Sequence, residues 1–278
     1  MKKLLMLLCA GCWFASALCA REMTTVVQTK PGRPPVKESF TFVVWGDNQP
    51  RSPHGPQPMI FKRIVAEVKR LLPDFVVSLG DAIYGSASDE KLVREQYREY
   101  QSVLKKLSLP VYHVPGNHET GGTAANRRLY EEFFGKRNYS FTHKGCLFFL
   151  LDTEAGPRGG CVEESVFPRL RDELAAGSTS SFTFLFLHRP LFPAVRLRFH
   201  EMDEGCVKRL VPLVREGGTD IVFAGHEHLY RTERTEGLLQ ITSGGAGASL
   251  LPTEEGNFHH YLLVTVSGDT VTVEVKIP

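Results

Sequence analysis

The sequence predicts an α/β domain built on a mixed sheet or two packed sheets. Two observations carry this expectation. Short apolar runs alternate with amphipathic helical segments through most of the chain, whereas strand follows strand in the last fifty residues. Polar clusters also stand directly after several buried strands, where α/β sheets bind ligands. The 278 residues suffice for a sizeable core. With 42% hydrophobic and 23% charged residues and a net charge of +2, the chain is neither disordered nor fibrous nor polytopic. It has no basic excess or arginine-aromatic stripe that would indicate a nucleic-acid partner.

Residues 1–20 read as an export signal: Lys2 and Lys3, an apolar run from Leu4 to Leu18, and small residues before Arg21. The run is short for an uncleaved anchor. The expected location is periplasmic or secreted. Leu8-Cys9-Ala10-Gly11-Cys12 loosely resembles a lipoprotein box, so a lipid tether at Cys12 is an alternative. Residues 21–39, with Pro31, Pro34 and Pro35, read as an extended leader, and 40–278 as the domain.

Within the domain, 40–45 is a continuously apolar strand broken by Gly46-Asp47-Asn48-Gln49. A helix is predicted over 59–72, where Ile60, Phe61, Ile64, Val65, Val68 and Leu71 make one stripe, and Pro73 stops it. A strand at 75–79 ends in Gly80-Asp81. A helix over 90–107 leads to a strand at 111–114 that ends in Pro115-Gly116-Asn117-His118. A helix at 124–134 precedes a hairpin of 139–142 and 147–151 turning at Lys144-Gly145. Helices at 165–176 and 204–215 flank a strand at 182–187 that ends in His188. The strand at 220–224 ends in Gly225-His226-Glu227-His228. Strands at about 229–234, 238–242, 260–266 and 270–276 complete the chain. The glycine-rich 244–247 is expected to shape the floor of a site.

Of six cysteines, three lie in the signal. Cys146 reads as a core thiol, and an oxidising compartment permits a Cys161–Cys206 bridge. No GxSxG, P-loop or HExxH motif is present. Instead, carboxylates, imidazoles and an amide gather at strand ends, a donor set suited to hard or borderline metals. Two metals about 3.5–4 Å apart suit phosphoester hydrolysis.

The series Gly46-Asp47, Gly80-Asp81, Gly116-Asn117-His118-Glu119, His188 and Gly225-His226-Glu227-His228 resembles the calcineurin-like metallophosphoesterase superfamily over about residues 40–230. The resemblance implies a four-layer α/β/β/α sandwich with two packed mixed sheets. It also implies hydrolysis of a phosphate monoester or diester by water activated at a dinuclear centre. Asp47 and His228 then look like ligands of the first metal and Asp81 like the bridge. Asn117, His188 and His226 look like ligands of the second metal, and His118 like the residue that contacts phosphate and protonates the leaving oxygen.

The first motif has Gln49 where many members have histidine. The second, Asp81-Ala82-Ile83-Tyr84, resembles that of purple acid phosphatases, whose tyrosine binds ferric iron. Either Tyr84 replaces the histidine, or it is a packed aromatic and the first metal is weakly held. Coordination by Tyr84 is favoured, with iron at the first site and iron, zinc or manganese at the second. His54, Arg127 and Arg189 are candidates for contacting a small phosphorylated substrate, and a monomer is favoured. The rival readings are a non-catalytic exported binding protein on the same scaffold and another metal hydrolase such as an amidase.

Overall fold

Residues 40–45 send Phe40, Phe42 and Val44 to one face and Val43 and Trp45 to the other, and 182–187 divides in the same way. Period-two alternation with both faces apolar requires cover on both sides. The computed structural model, which describes residues 23–156, 159–195, 201–253 and 256–278, supplies that cover. Its strands are β1 (Thr24–Gln28), β2 (Val36–Trp45), β3 (Phe75–Ser78), β4 (Val111–His113), β5 (Tyr139–His143), β6 (Cys146–Leu150), β7 (Thr183–Leu187), β8 (Ile221–Ala224), β9 (Tyr230–Thr235), β10 (Leu238–Ser243), β11 (Tyr261–Gly268) and β12 (Thr270–Lys276). Its helices are α1 (Met59–Leu71), α2 (Glu90–Leu104), α3 (Asn117–Thr120), α4 (Ala124–Phe134), α5 (Val166–Ala176) and α6 (Glu204–Glu216).

One sheet runs β1-β12-β11-β2-β3-β4 and the other β5-β6-β7-β8-β10-β9. β2, β3 and β4 are parallel, as are β6, β7, β8 and β10. Aromatic rings fill the space between the sheets. Phe42 lies 5.2 Å from Phe75 in its own sheet and 5.5 Å from both Phe148 and Phe184 in the other. The apolar stripes of α1 and α2 cover the outer face of the first sheet, and α5 and α6 cover that of the second. The result is the four-layer α/β/β/α sandwich with two mixed sheets. Among the described residues, no helix is long and apolar enough to cross a membrane. The expected signal, with its lipoprotein box, lies outside the described residues.

The expected leader 21–39 needs correction. Thr24–Gln28 is the edge strand of the first sheet, antiparallel to β12, and β2 begins at Val36 instead of Phe40. Between them, Lys30 donates to the carbonyls of Gly218 and Thr219, and Arg33 binds the Asp220 carboxylate at 2.6 Å. Asp220 also accepts the Thr183 N–H. The segment therefore straps the first sheet to the second. Pro31, Pro34 and Pro35 suggest an extended leader, but they occupy only the turn between two strands, and Thr-Thr-Val-Val suits an edge strand.

Cys161 and Cys206 form a disulfide that ties the loop after β6 to the first turn of α6 across 45 residues of sequence. Cys146 is a buried free thiol in β6, with its pKa pushed up to about 12 by burial, as suits an inert core residue. Loop-closure entropy for a bridge of this span corresponds to about 4 kcal/mol. A Cys161→Ser/Cys206→Ser variant is expected to lose about 2–4 kcal/mol in denaturant unfolding. An unchanged midpoint would show that the bridge constrains nothing.

Candidate metal centre

Five strands deliver the site. Asp47 follows β2, Asp81 follows β3, Asn117 and His118 follow β4, His188 follows β7, and His226 and His228 follow β8. All five loops leave carboxyl ends of parallel strands, three in one sheet and two in the other. The site therefore forms where the ends of the two sheets meet. Asp47, Asp81 and His226 each follow a glycine and each takes a left-handed backbone, with φ of 61°, 53° and 68°. For non-glycine residues this costs about 1–2 kcal/mol each. Such strain persists where the surroundings fix it. Here Asp47 N–H donates to Gly80 O, Asn48 N–H to Asp81 O, and His226 N–H to the Asp47 carboxylate, at 3.0 Å each. The glycine-rich loop and the residue after it, 244–248, pin this corner from behind, with Ala246 N–H on Gly46 O and Ala248 N–H on Asp47 O.

The donor atoms fall into two overlapping groups. Asp81, His188 and His226 make one, and Asp47, Asp81 and His228 the other, with the atoms of each group within 4.8 Å of one another. Asp81 belongs to both. Asn117 Oδ1 lies 3.0 Å from His188 Nε2, on the first group's side. Backbone carbonyls set the imidazole tautomers. His188 Nδ1–H donates to Leu79 O at 2.8 Å, and His228 Nδ1–H donates to Ser249 O at 2.6 Å. A carbonyl cannot donate, so each neutral ring presents its Nε2 lone pair to the cluster. Such outer contacts orient histidines that hold metals. A cavity of about 130 Å³, lined in part by Asp81, Asn117, His118, His226 and His228, opens beside these atoms.

The field of the cluster calls for positive charge. Burial opposes ionisation of Asp81, yet His188 and His118 hold its carboxyl far below the usual range. Burial opposes charge on His188 as well, but the Asp81 carboxylate pushes its pKa up to about 10. His228, half-buried, is pushed up to about 9 chiefly by Asp47, against the cost of burial. Cations bound here would take the place of those protons. Carboxylate, amide and imidazole donors that converge with lone pairs inward fit a pair of divalent ions.

Gln49 adds an amide to the same corner. It is 6% exposed, with Nε2 3.3 Å from His228 Nε2, and its buried Oε1 has no hydrogen-bond partner among the described residues. A half-turn of the amide exchanges the two atoms. Tyr84, by contrast, is 37% exposed and sets its ring at an edge to His118, 6.0 Å between centroids. It lines a neighbouring concavity with Gly85, Ser86 and Gly121, and Asn117 and His118 line both that concavity and the cavity beside His226 and His228.

His118 stands at the mouth, with Nε2 3.9 Å from Asp81 Oδ2. Its Nδ1–H donates to Tyr84 O at 2.6 Å, which leaves Nε2 to face the cavity. Burial lowers its pKa, but Asp81 and the Tyr84 carbonyl outweigh burial and raise it above the ordinary imidazole value.

Two of the residues expected to contact phosphate have partners within the protein. Arg189 is 5% exposed and grips the Glu154 carboxylate through Nε and Nη2 at 2.8 and 2.9 Å. Arg127 donates to Glu154 O and Gly156 O. Both brace the loop after β6. His54 is exposed on the loop before α1 and does not line the cavity.

Glu119 is a residue to which the sequence reading gave no role. Its buried carboxylate accepts N–H bonds from Asp81, Ala82, Ile83 and Gly116, so it ties the end of β3 to the end of β4. Burial and the nearby Asp81 push its pKa up to about 7. A signal was present: Glu119 stands three residues after Gly116, the spacing at which a glutamate reaches back to a helix start. Gly116 must be glycine, because a Cβ there would lie 2.2 Å from Asp81 Oδ1. Glu227 is the second such residue, accepting the N–H groups of Ala194 and Val195.

Comparison with known proteins agrees with this geometry. Tartrate-resistant acid phosphatase type 5 of Sus scrofa is 22% identical over 271 residues, which cover 87% of this chain and 78% of that protein. Two solved structures share the fold. GAP50, the anchor in the inner membrane complex of Plasmodium, superposes with a TM-score of 0.64 at 14% identity, over 86% of this chain and 84% of that one. A dimetal phosphatase from Danio rerio superposes with a TM-score of 0.63 at 16% identity, over 87% of this chain and all of that one. The family model for calcineurin-like phosphoesterases matches residues 40–230, the span that carries every strand-end donor described above, and the chain belongs to that family.

Proposed function

We propose that the protein is an exported phosphoesterase that hydrolyses phosphate monoesters or diesters of small molecules at a dinuclear metal centre. The observation that carries this reading is the Asp81 carboxylate, common to both donor groups. Asn117, His188 and His226 would hold one ion with it, and Asp47 and His228 the other. Ions bound there supply Lewis acidity toward phosphate oxygens and lower the pKa of water. The chain's own part is positioning and proton transfer. Glu119 and the His118 N–H fix Asp81. His118 Nε2 gives its proton to the departing alcohol oxygen as the P–O bond breaks, while the Tyr84 carbonyl holds the ring.

Gln49 would complete the first site through its amide oxygen after a half-turn of the amide, with Tyr84 as a wall beside His118. Without a phenolate ligand, zinc, manganese and ferrous iron would all suit the donor set. The rival reading is a non-catalytic protein on the same fold, which GAP50, an anchor, shares. The donor set favours catalysis, as does the likeness to an acid phosphatase.

The test is metal content beside turnover. Protein purified without chelator is expected to carry two ions per chain and to release phosphate from aryl phosphates. Chelation should stop turnover, and manganese, zinc or iron should restore it. Gln49→Ala is expected to reduce the content to one ion, and Tyr84→Phe to leave it at two. A metal-free, inactive protein would support the binding module, and cleavage of aryl amides alone would support the amidase. A visible band in the iron-loaded protein that Tyr84→Phe removes would return the first site to Tyr84.

A further inference from the structure

A second cavity adjoins the metal centre and takes no part in holding the ions. It measures about 960 Å³ and is lined by Met23, Val195, Leu229, Tyr230, Arg231 and Phe258, among others. That volume lies within the range of small-molecule sites. Val195 lines both this cavity and the one beside the metals. The chain also passes directly from one to the other: His228 faces the metals, and Leu229 and Tyr230 face the second cavity.

The walls are built in place. Glu227, between His226 and His228, accepts the N–H groups of Ala194 and Val195 at 2.9 and 2.8 Å. Val195 is therefore held as a partition by the same loop that carries the metal donors. Tyr230 N–H donates to Gly256 O at 2.9 Å. Gly256 has φ +73°, and a Cβ there would meet Tyr230 O at 2.0 Å, so only glycine lets the 256–258 segment come this close. Phe258 then lies 6.1 Å from Tyr230, and both rings pack on buried His260, at 5.2 and 5.5 Å. Burial pushes the pKa of His260 down to about 4, so that ring is neutral and adds to an aromatic wall.

The geometry points to this cavity as the subsite for the leaving group, and to phosphate esters of aromatic alcohols as the preferred substrates. The inference rests on the phosphoesterase reading above. Phosphate at the metals would direct its ester oxygen past Val195, and a planar ring would stack against Tyr230 and Phe258. Stacking of this kind beyond simple burial corresponds to about a tenfold preference.

The test compares 2-naphthyl phosphate with phenyl phosphate, whose leaving groups have similar acidity but differ by one fused ring. The wild type is expected to favour the naphthyl ester about tenfold in kcat/KM, mainly through KM. Phe258→Ala is expected to bring the ratio to about one. Thr232→Trp, an exposed position on the rim, should do the same by filling the cavity if the first variant does not fold. A ratio near one in the wild type, or a preference that survives both variants, would overturn the subsite. If neither ester is hydrolysed, the phosphoesterase reading fails by itself. Fluorescence titration with 2-naphthyl phosphate then reads the subsite directly, with tighter binding than phenyl phosphate in the wild type, lost in Phe258→Ala, as its signature.

Discussion

Asp81→Asn is expected to abolish turnover and strip both ions. The substitution keeps size and shape, and the asparagine Oδ1 still accepts the His118 N–H that Asp81 accepts at 3.0 Å. What it removes is one negative charge common to both donor groups. Changes one step further from a metal typically cost about 10–100-fold in affinity or activity. As the proposed bridge Asp81 would be the donor itself and serve two sites, so a drop of at least about a thousandfold is expected. The imidazoles would also lose the carboxylate that raises the His188 pKa. Phosphate release, metal stoichiometry and circular dichroism on one sample decide the matter. Near-normal turnover with two ions would refute the bridging role, and two ions without turnover would give Asp81 a role other than holding them.

His118→Ala is expected to lower kcat by about 10²–10⁴-fold while leaving both ions bound. The ring touches Tyr84 and approaches Asp81 only to 3.9 Å, outside the tight donor groups. The loss should depend on the leaving group. An alkoxide needs a proton more than a nitrophenolate does, so alkyl phosphates should suffer more than 4-nitrophenyl phosphate. An equal loss on both would assign His118 to phosphate binding. Loss of an ion would make it a ligand.

Most of this site can be read in the sequence because its donors sit where strands end. Gly-Asp, Gly-Asn-His and Gly-His-Glu-His interrupt apolar runs, and such punctuation is local. What could not be read depends on contacts between distant residues. Arg189 follows His188 and looks like a phosphate ligand, yet Glu154, 35 residues earlier, holds it. Tyr84 lies three residues from Asp81, and the fold sets its ring at an edge to His118, 6.0 Å between centroids. Gln49 looked like a lost ligand, and only the fold sets its amide beside His228. The edge strand at Thr24–Gln28 was hidden for the same reason, because its partner is the last strand of the chain.

The left-handed backbones at Asp47, Asp81 and His226 bear on how such a chain can evolve. At each position glycine would relax the turn, and the relief, about 1–2 kcal/mol per site, is available only by giving up a donor. Stability and chemistry thus pull in opposite directions at three points. A descendant freed from selection for hydrolysis gains robustness with its first inactivating changes. Its two sheets, strapped by Arg33 and Asp220 well away from those turns, would persist as a ready framework for a different occupation.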